Sequence, residues 1–379
     1  MNILDQEVIL EFFRTHYEQF IALVFLLTFG LTFYLIPKVL WVSQEKNLMA
    51  SVNERSSHSK AVPTFGGVAF YIAIIMVLTI LQSLRLTYVG NHLIAAMTIL
   101  FMVGLKDDLV ISTAKVKFLG QITAACFLVF SPEFQLTSLH GFLGIYEIPV
   151  VLGYFITGFI VLALINAYNL IDGIDGLAAI VGIVISLVFV FIFYATGQPF
   201  FALASISLAG VLTAFLRFNF SRGRRKIFMG DSGSLLVGLL LSFLSLKFLA
   251  MEPYSPALSQ GYDPAHRLLF LACILFVPAF DTLRVIIIRK IKGQSPFSPD
   301  RNHAHHVLLD LGLSHKKASF SLGLLNLVVV SLYISLSNLL SQVWLLFLVV
   351  LLYSVTFLLF GWFKVLGARQ AKGSVVGSR

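Results

Sequence analysis

The chain of 379 residues is 58% hydrophobic and only 12% charged, with a mean hydropathy of +0.91. Soluble domains carry about a quarter charged residues, so a soluble fold is excluded and the composition predicts an all-α, polytopic integral membrane protein. The net charge of +9 implies no nucleic-acid partner, because basic loops against anionic lipid account for it, and a basic rim also suits a polyanionic substrate.

A hydrocarbon core of about 30 Å requires roughly 20 apolar residues per helix. The apolar runs predict eleven spans, at 18–37, 64–84, 89–105, 117–131, 149–167, 177–196, 199–217, 234–250, 266–288, 318–338 and 342–363, the fourth being the shortest. The leading residues are acidic (Asp5, Glu7, Glu11) and the first run is too long for a cleavable signal, so it reads as a true span. Cytoplasmic loops collect Lys and Arg. With the N-terminus outside and the C-terminus cytoplasmic, 23 of the 27 basic residues fall inside, leaving Arg14, Arg85, Lys247 and Arg267 outside. Residues 1–379 read as one membrane-embedded domain without repeats, ending in a basic cytoplasmic tail at 364–379. Cys126 and Cys273 both lie in apolar runs, which excludes a disulfide framework and a Cys-based metal site.

Five acids stand at the ends of these runs, all on the predicted cytoplasmic side, where membrane-edge carboxylates mark functional sites. Asp107 and Asp108 close the third span, and acids at a helix C-terminus oppose its dipole, which argues for a bound cation. Neighbouring helical residues point about 100° apart, so the two converge on one ligand only if the helix end frays. After the fifth span, Asn166, Asn169, Asp172 and Asp175 recur every third residue, a spacing that stacks polar groups along one helical edge, with Gly173 and Gly176 between them. Asp231 lies in Gly230-Asp231-Ser232-Gly233-Ser234 before the eighth span, where it reads either as an N-cap or as part of a phosphate cradle. His303, His305 and His306 follow Arg301 before the tenth span. Three histidines can bind zinc, but imidazoles beside an arginine suit phosphate contacts or proton transfer better. A His-rich surface segment is the alternative. Together the acids point to a divalent metal and a phosphate-bearing substrate, since hard cations seek oxygen ligands.

Taken in order, Lys106-Asp107-Asp108, Asn166-x-x-Asn169-x-x-Asp172-Gly173-x-Asp175-Gly176-Leu177, Phe228-Met229-Gly230-Asp231-Ser232-Gly233-Ser234 and Arg301-x-His303-x-His305-His306 resemble the polyprenyl-phosphate N-acetylhexosamine-1-phosphate transferases. The likeness covers about residues 55–317 and includes Arg55, His58, Pro63 and Gly66-Gly67. The histidine motif is similar to the branch that starts enterobacterial common antigen, O-antigen (lipopolysaccharide) or wall teichoic acid, and departs from the Pro-x-His-His-His pattern of the peptidoglycan branch. A departure lies between Asn219 and Asp231, a stretch about two residues longer than usual and without its proline turn.

The resemblance implies transfer of N-acetylglucosamine 1-phosphate from UDP-N-acetylglucosamine to undecaprenyl phosphate, with release of UMP, at the cytoplasmic face of a bacterial inner membrane. Mg²⁺, with Mn²⁺ as a substitute, is the implied cofactor. Asp231, Asp107, Asp108 and Asp172 are the implied metal ligands, and Asp107, Asp108, Asp172 and Asp175 form the catalytic floor. Asn166, Asn169, Asn219, Arg301, His303, His305 and His306 are the implied substrate contacts. A homodimer is compatible with this reading. Direct attack by the lipid phosphate is the simpler chemistry, a covalent aspartyl intermediate the other. Another UDP-N-acetylhexosamine or UDP-N-acetylmuramoyl-pentapeptide is the alternative donor. A secondary transporter would instead keep its polar groups near the bilayer midplane.

Overall fold

The computed structural model describes residues 11–48, 62–251, 263–295 and 302–376, apart from positions 14, 85 and 111. Its helices are α1 (Tyr17–Glu45), α2 (Gly66–Ser83), α3 (Val89–Leu109), α4 (Ala114–Val129), α5 (Val150–Ile171), α6 (Leu177–Ala195) and α7 (Pro199–Asn219). They continue with α8 (Gly230–Ala250), α9 (Arg267–Ile274), α10 (Phe276–Ile291), α11 (Ala304–Asp310), α12 (His315–Ser337) and α13 (Gln342–Val376). Among the described residues there is no β-sheet, only one isolated bridge between Phe142 and Ile145. This all-α architecture is the predicted one.

A helix that is apolar on every side is buried on every side. The centre of the bundle accordingly consists of α7 and α8, whose apolar stretches are 83% and 89% buried. Helix α8 packs against α2, α3 and α5, and α7 against α1 and α6. At one end Phe243 meets Phe134 and Phe201 at ring-centre distances of 5.1 and 5.2 Å.

Contacts between helix ends sort the bundle into two faces. On one, Gln44 at the end of α1 donates to the Arg224 carbonyl (2.7 Å), and Asp108 at the end of α3 accepts from the first turn of α8. On the other, Tyr194 at the end of α6 donates to Glu18 at the start of α1, and Lys247 near the end of α8 pairs with Glu133 (3.0 Å). Ten candidate passes among the described residues join the faces: α1 to α3, α5 to α8, the α9–α10 pair, α12 and α13.

Nine of the described helices are long and apolar enough to cross a membrane, and ten spans result if the bent α9–α10 pair is one. The expectation of eleven differs by α4, which has 16 residues and so spans about 24 Å, short of a typical core. The bend in the ninth pass was also unforeseen: Pro264–Ile274 and Phe276–Ile291 meet at 72°. Proline has no N–H and its ring clashes with the carbonyl four residues back, so Pro278 cannot continue a helix through Ile274. Buried Asn326 of α12 takes up the groups released there, accepting from Val277 N and donating to Ile274 O, both at 3.0 Å.

On the face bearing the acids, several helices outrun their apolar windows by about one turn. Helix α3 reaches Leu109, α5 reaches Ile171, and α8 starts at Gly230. Backbone hydrogen bonding continues past the first charged side chain, so Asp107, Asp108 and Asp231 ride on helix ends rather than on loops.

Candidate active site

Asp107 and Asp108 do not converge, because α3 stays helical through both and sends them to different partners. Asp108 accepts from Asp231 N (2.8 Å), Ser232 N (3.0 Å) and Ser232 Oγ (2.5 Å), so it caps α8 from a neighbouring helix. Asp231 is therefore not the N-cap of α8; it occupies the first turn, and its own carboxylate remains available for the cleft. The approach is close enough to exclude side chains. A Cβ on Gly104 would lie 2.5 Å from Ser232 Cα, and one on Gly230, where φ is +72°, would lie 1.9 Å from the Thr64 carbonyl oxygen.

Asp107 turns the other way and accepts from Ser112 N (2.8 Å) and Lys117 Nζ (3.2 Å). The same ammonium also pairs with Asp231, so one lysine of α4 bridges acids from α3 and α8. Lys117 was absent from the sequence-derived site, since a lysine at the start of an apolar run is ordinary snorkelling. Asn169 donates to Asp231 Oδ1 (3.2 Å) and Ser234 Oγ (2.7 Å), which fixes the acid from the α5 side. Asn166 lies one turn deeper, locked in a reciprocal amide pair with buried Gln121 of α4 (2.8 and 3.3 Å). That pair sets the register of α4 against α5, and hence of Lys117 against Asn169.

The spacing of three does not stack four groups on one edge, because α5 stops at Ile171 and the chain turns through 172–176. Asp172 stays beside the cluster. Burial, followed by the charges of Asp231, Asp108 and Asp175, raises its pKa from 3.8 to about 7. Asp175 is carried away to Lys226 (2.6 Å) and His315 (3.4 Å). Asn219 is 4% exposed and spends its amide on backbone, accepting from Gly176 N (2.6 Å) and donating to Ile227 O (2.9 Å). It clamps two loops together. The lengthened stretch after it is taken up by a 3-10 turn at Gly223–Arg225.

The histidines are not on an exposed segment. His303 caps the short helix α11, and His303 and His305 are buried. His303 Nδ1 lies 2.7 Å from Asp281 Oδ2, and Ala304 N donates to Asp281 Oδ1 at 2.6 Å. Burial is the chief cause that lowers the pKa of His305 to about 3, so its ring is neutral. That ring lies on Gly173, where a Cβ would come within 2.3 Å of Nε2. The contact joins the histidine helix to the turn that carries Asp172. Arg301, Arg55 and His58 lie outside the described residues. Asp281 and Arg284 were missed because they sit inside the apolar run of the ninth span; an acid and a base three residues apart there was the available signal.

The donor set fits a hard divalent cation in one particular way. Among the described residues no three His, Cys, Asp or Glu side chains form a ready metal site. What the site offers is Asp231 and Asp107 around a position where Lys117 supplies positive charge, with Asp172 near enough to Asp231 to feel its charge. Magnesium commonly takes one or two carboxylates and leaves its other positions to phosphate oxygens and water, and this arrangement meets that requirement.

Comparison with known proteins agrees with the geometry. Residues 91–249, which hold Asp107, Asp108, Asp172, Asp175 and Asp231, match Glycosyl transferase family 4. The chain is 34% identical over 319 residues to a decaprenyl-phosphate N-acetylglucosaminephosphotransferase of Mycolicibacterium smegmatis, covering 79% of this chain and 77% of that protein. It is 32% identical over 318 residues to the protein of the same name from Mycobacterium tuberculosis, covering 78% of each. An undecaprenyl-phosphate alpha-N-acetylglucosaminyl 1-phosphate transferase of Escherichia coli is 29% identical over 282 residues, 73% of each chain. The chain belongs to glycosyl transferase family 4, the polyprenyl-phosphate N-acetylhexosamine-1-phosphate transferases, and within it to the N-acetylglucosamine-1-phosphate branch.

Proposed function

We propose that the protein transfers N-acetylglucosamine 1-phosphate from UDP-N-acetylglucosamine to undecaprenyl phosphate at the cytoplasmic membrane surface, releasing UMP and starting a lipid-linked surface glycan. The observation that carries this reading is the cluster in which Asp107, Lys117, Asp231 and Asn169 are interlocked, with Asp172 near Asp231 and His305 of the histidine helix against Gly173 of the adjoining turn. A diphosphate and a lipid phosphate repel each other, and the reaction consists mainly of positioning them and stabilising charge. Mg²⁺, held by Asp231 with Asp107 or Asp172, would polarise the attacked phosphate and stabilise the UMP leaving group. Lys117, paired with Asp107 and Asp231, adds an ammonium to the same cluster. Asn169 keeps Asp231 oriented, Asp108 keeps the start of α8 in place, and Asp175 with Asn219 fixes the turn that carries Asp172.

Purified protein given UDP-N-acetylglucosamine, undecaprenyl phosphate and Mg²⁺ is expected to release UMP, and excess EDTA to abolish release. Full turnover in EDTA would refute the metal role. Decaprenyl phosphate belongs in the same assay, because the mycobacterial relatives are named for that acceptor. Faster turnover with it would replace undecaprenyl phosphate in this reading.

A further inference from the structure

A bent membrane helix grips the histidine motif from behind. Helix α10 presents Asp281 and, one turn on, Arg284; both are 1% exposed. The carboxylate takes the Ala304 amide on one oxygen and the His303 ring on the other, at 2.6 and 2.7 Å. The Arg284 guanidinium donates to the carbonyl of Asn302. Three consecutive residues, 302–304, are thus held by one turn of α10. The His303 ring then lies nearly parallel to that of His305, at 17° and 5.5 Å between centres, and His305 rests on Gly173 beside Asp172.

A carboxylate accepts hydrogen bonds and does not donate them. Facing Nδ1, it requires the proton to sit on that nitrogen, which leaves Nε2 on the opposite edge of the ring for a ligand. We infer that Asp281 is a positioning residue of the transfer reaction: it fixes the Nδ1–H form and the orientation of His303, so that Nε2 is presented to the donor substrate. This inference rests on the reading of the cleft as the site of UDP-sugar binding. The amide of Ala304 gives the arrangement a second constraint. An asparagine at 281 has one acceptor oxygen, the backbone amide cannot move away from it, and the new NH₂ group would face Nδ1. The ring would then have to carry its proton on Nε2, the wrong nitrogen.

The test uses full-length protein in lipid nanodiscs with ¹⁵N-labelled histidine, the His303 signals being identified by their loss in His303→Gln. Nδ1 should carry a proton in the wild type and in Asp281→Glu, and lose it in Asp281→Asn. In UMP-release assays Asp281→Asn should raise the KM for UDP-N-acetylglucosamine or lower kcat on the order of ten- to a hundredfold. Asp281→Glu should recover part of that loss, and Asp281→Asn should add little in a His303→Gln background. An Nδ1 proton retained in Asp281→Asn, or an equal kinetic loss with and without His303, would overturn the assignment, the second result being what a purely structural acid produces. If the wild type releases no UMP while the proton still moves in Asp281→Asn, the donor reading falls and the Asp281–His303 coupling stands.

Discussion

At the residue scale the five membrane-edge acids, alike in sequence, have separate tasks. Asp108 caps a helix, Asp175 anchors a turn, and Asp107 and Asp231 share a lysine. Asp172 alone among them makes no side-chain hydrogen bond within the described residues, and burial raises its pKa to about 7. The sign of its linkage follows. The native state keeps a proton that the unfolded chain releases near pH 4, so metal-free protein should lose thermal stability as pH rises from about 4 through about 7. Asp172→Asn should flatten that part of the curve. Above pH 7, Mg²⁺ should raise the melting temperature of wild type more than that of Asp172→Asn; equal shifts would remove Asp172 from the metal set.

At the element scale the broken ninth pass offers the sharpest test of packing. Asn326 replaces hydrogen bonds that Pro278 prevents. Asn326→Leu should leave two buried backbone groups unsatisfied, at about 1–3 kcal/mol each, read as a lower melting temperature in detergent. Pro278→Ala restores a donor for Ile274 O, so the double variant should be more stable than Asn326→Leu alone. Strict additivity would mean that the bend has another cause. The break was hidden in the sequence because residues 266–288 read as one apolar run in spite of Pro278, Asp281 and Arg284 within it, and hydropathy counts residues without following their hydrogen bonds. The helices themselves were legible for the same reason that the bend was not: long apolar runs leave few other structures open in a membrane. Asp107, Asp231 and Asn169 were legible as acids and amides standing where lipid gives way to water. Lys117 and Asp281 were not, one because lysines there are common and the other because it lay inside a span. The inward turn of Asn219 depends on a loop closing back on it, which spacing along the chain does not specify.

At the scale of the whole molecule, the first described helix begins on the face opposite the acids and α13 ends on the acid face, where Lys364 meets Asn302. From the 23-to-4 division of basic residues we propose that the acid face is cytoplasmic. Cysteines introduced at positions 224 and 140 should therefore be labelled from opposite sides of sealed vesicles, 224 from the cytoplasm. Three helices, α5 to α7, separate these positions, so labelling of both from one side would show that one of the three does not cross. Asp108 also has a bearing on biosynthesis: it precedes the Asp231 amide that it caps by 123 residues. While the chain is being made, α3 enters the membrane with this acid unsatisfied, and the cleft cannot close until α8 has followed. Fragments ending before α8 insert their helices but hold no assembled site, so the acid cluster forms only in chains extended past Asp231.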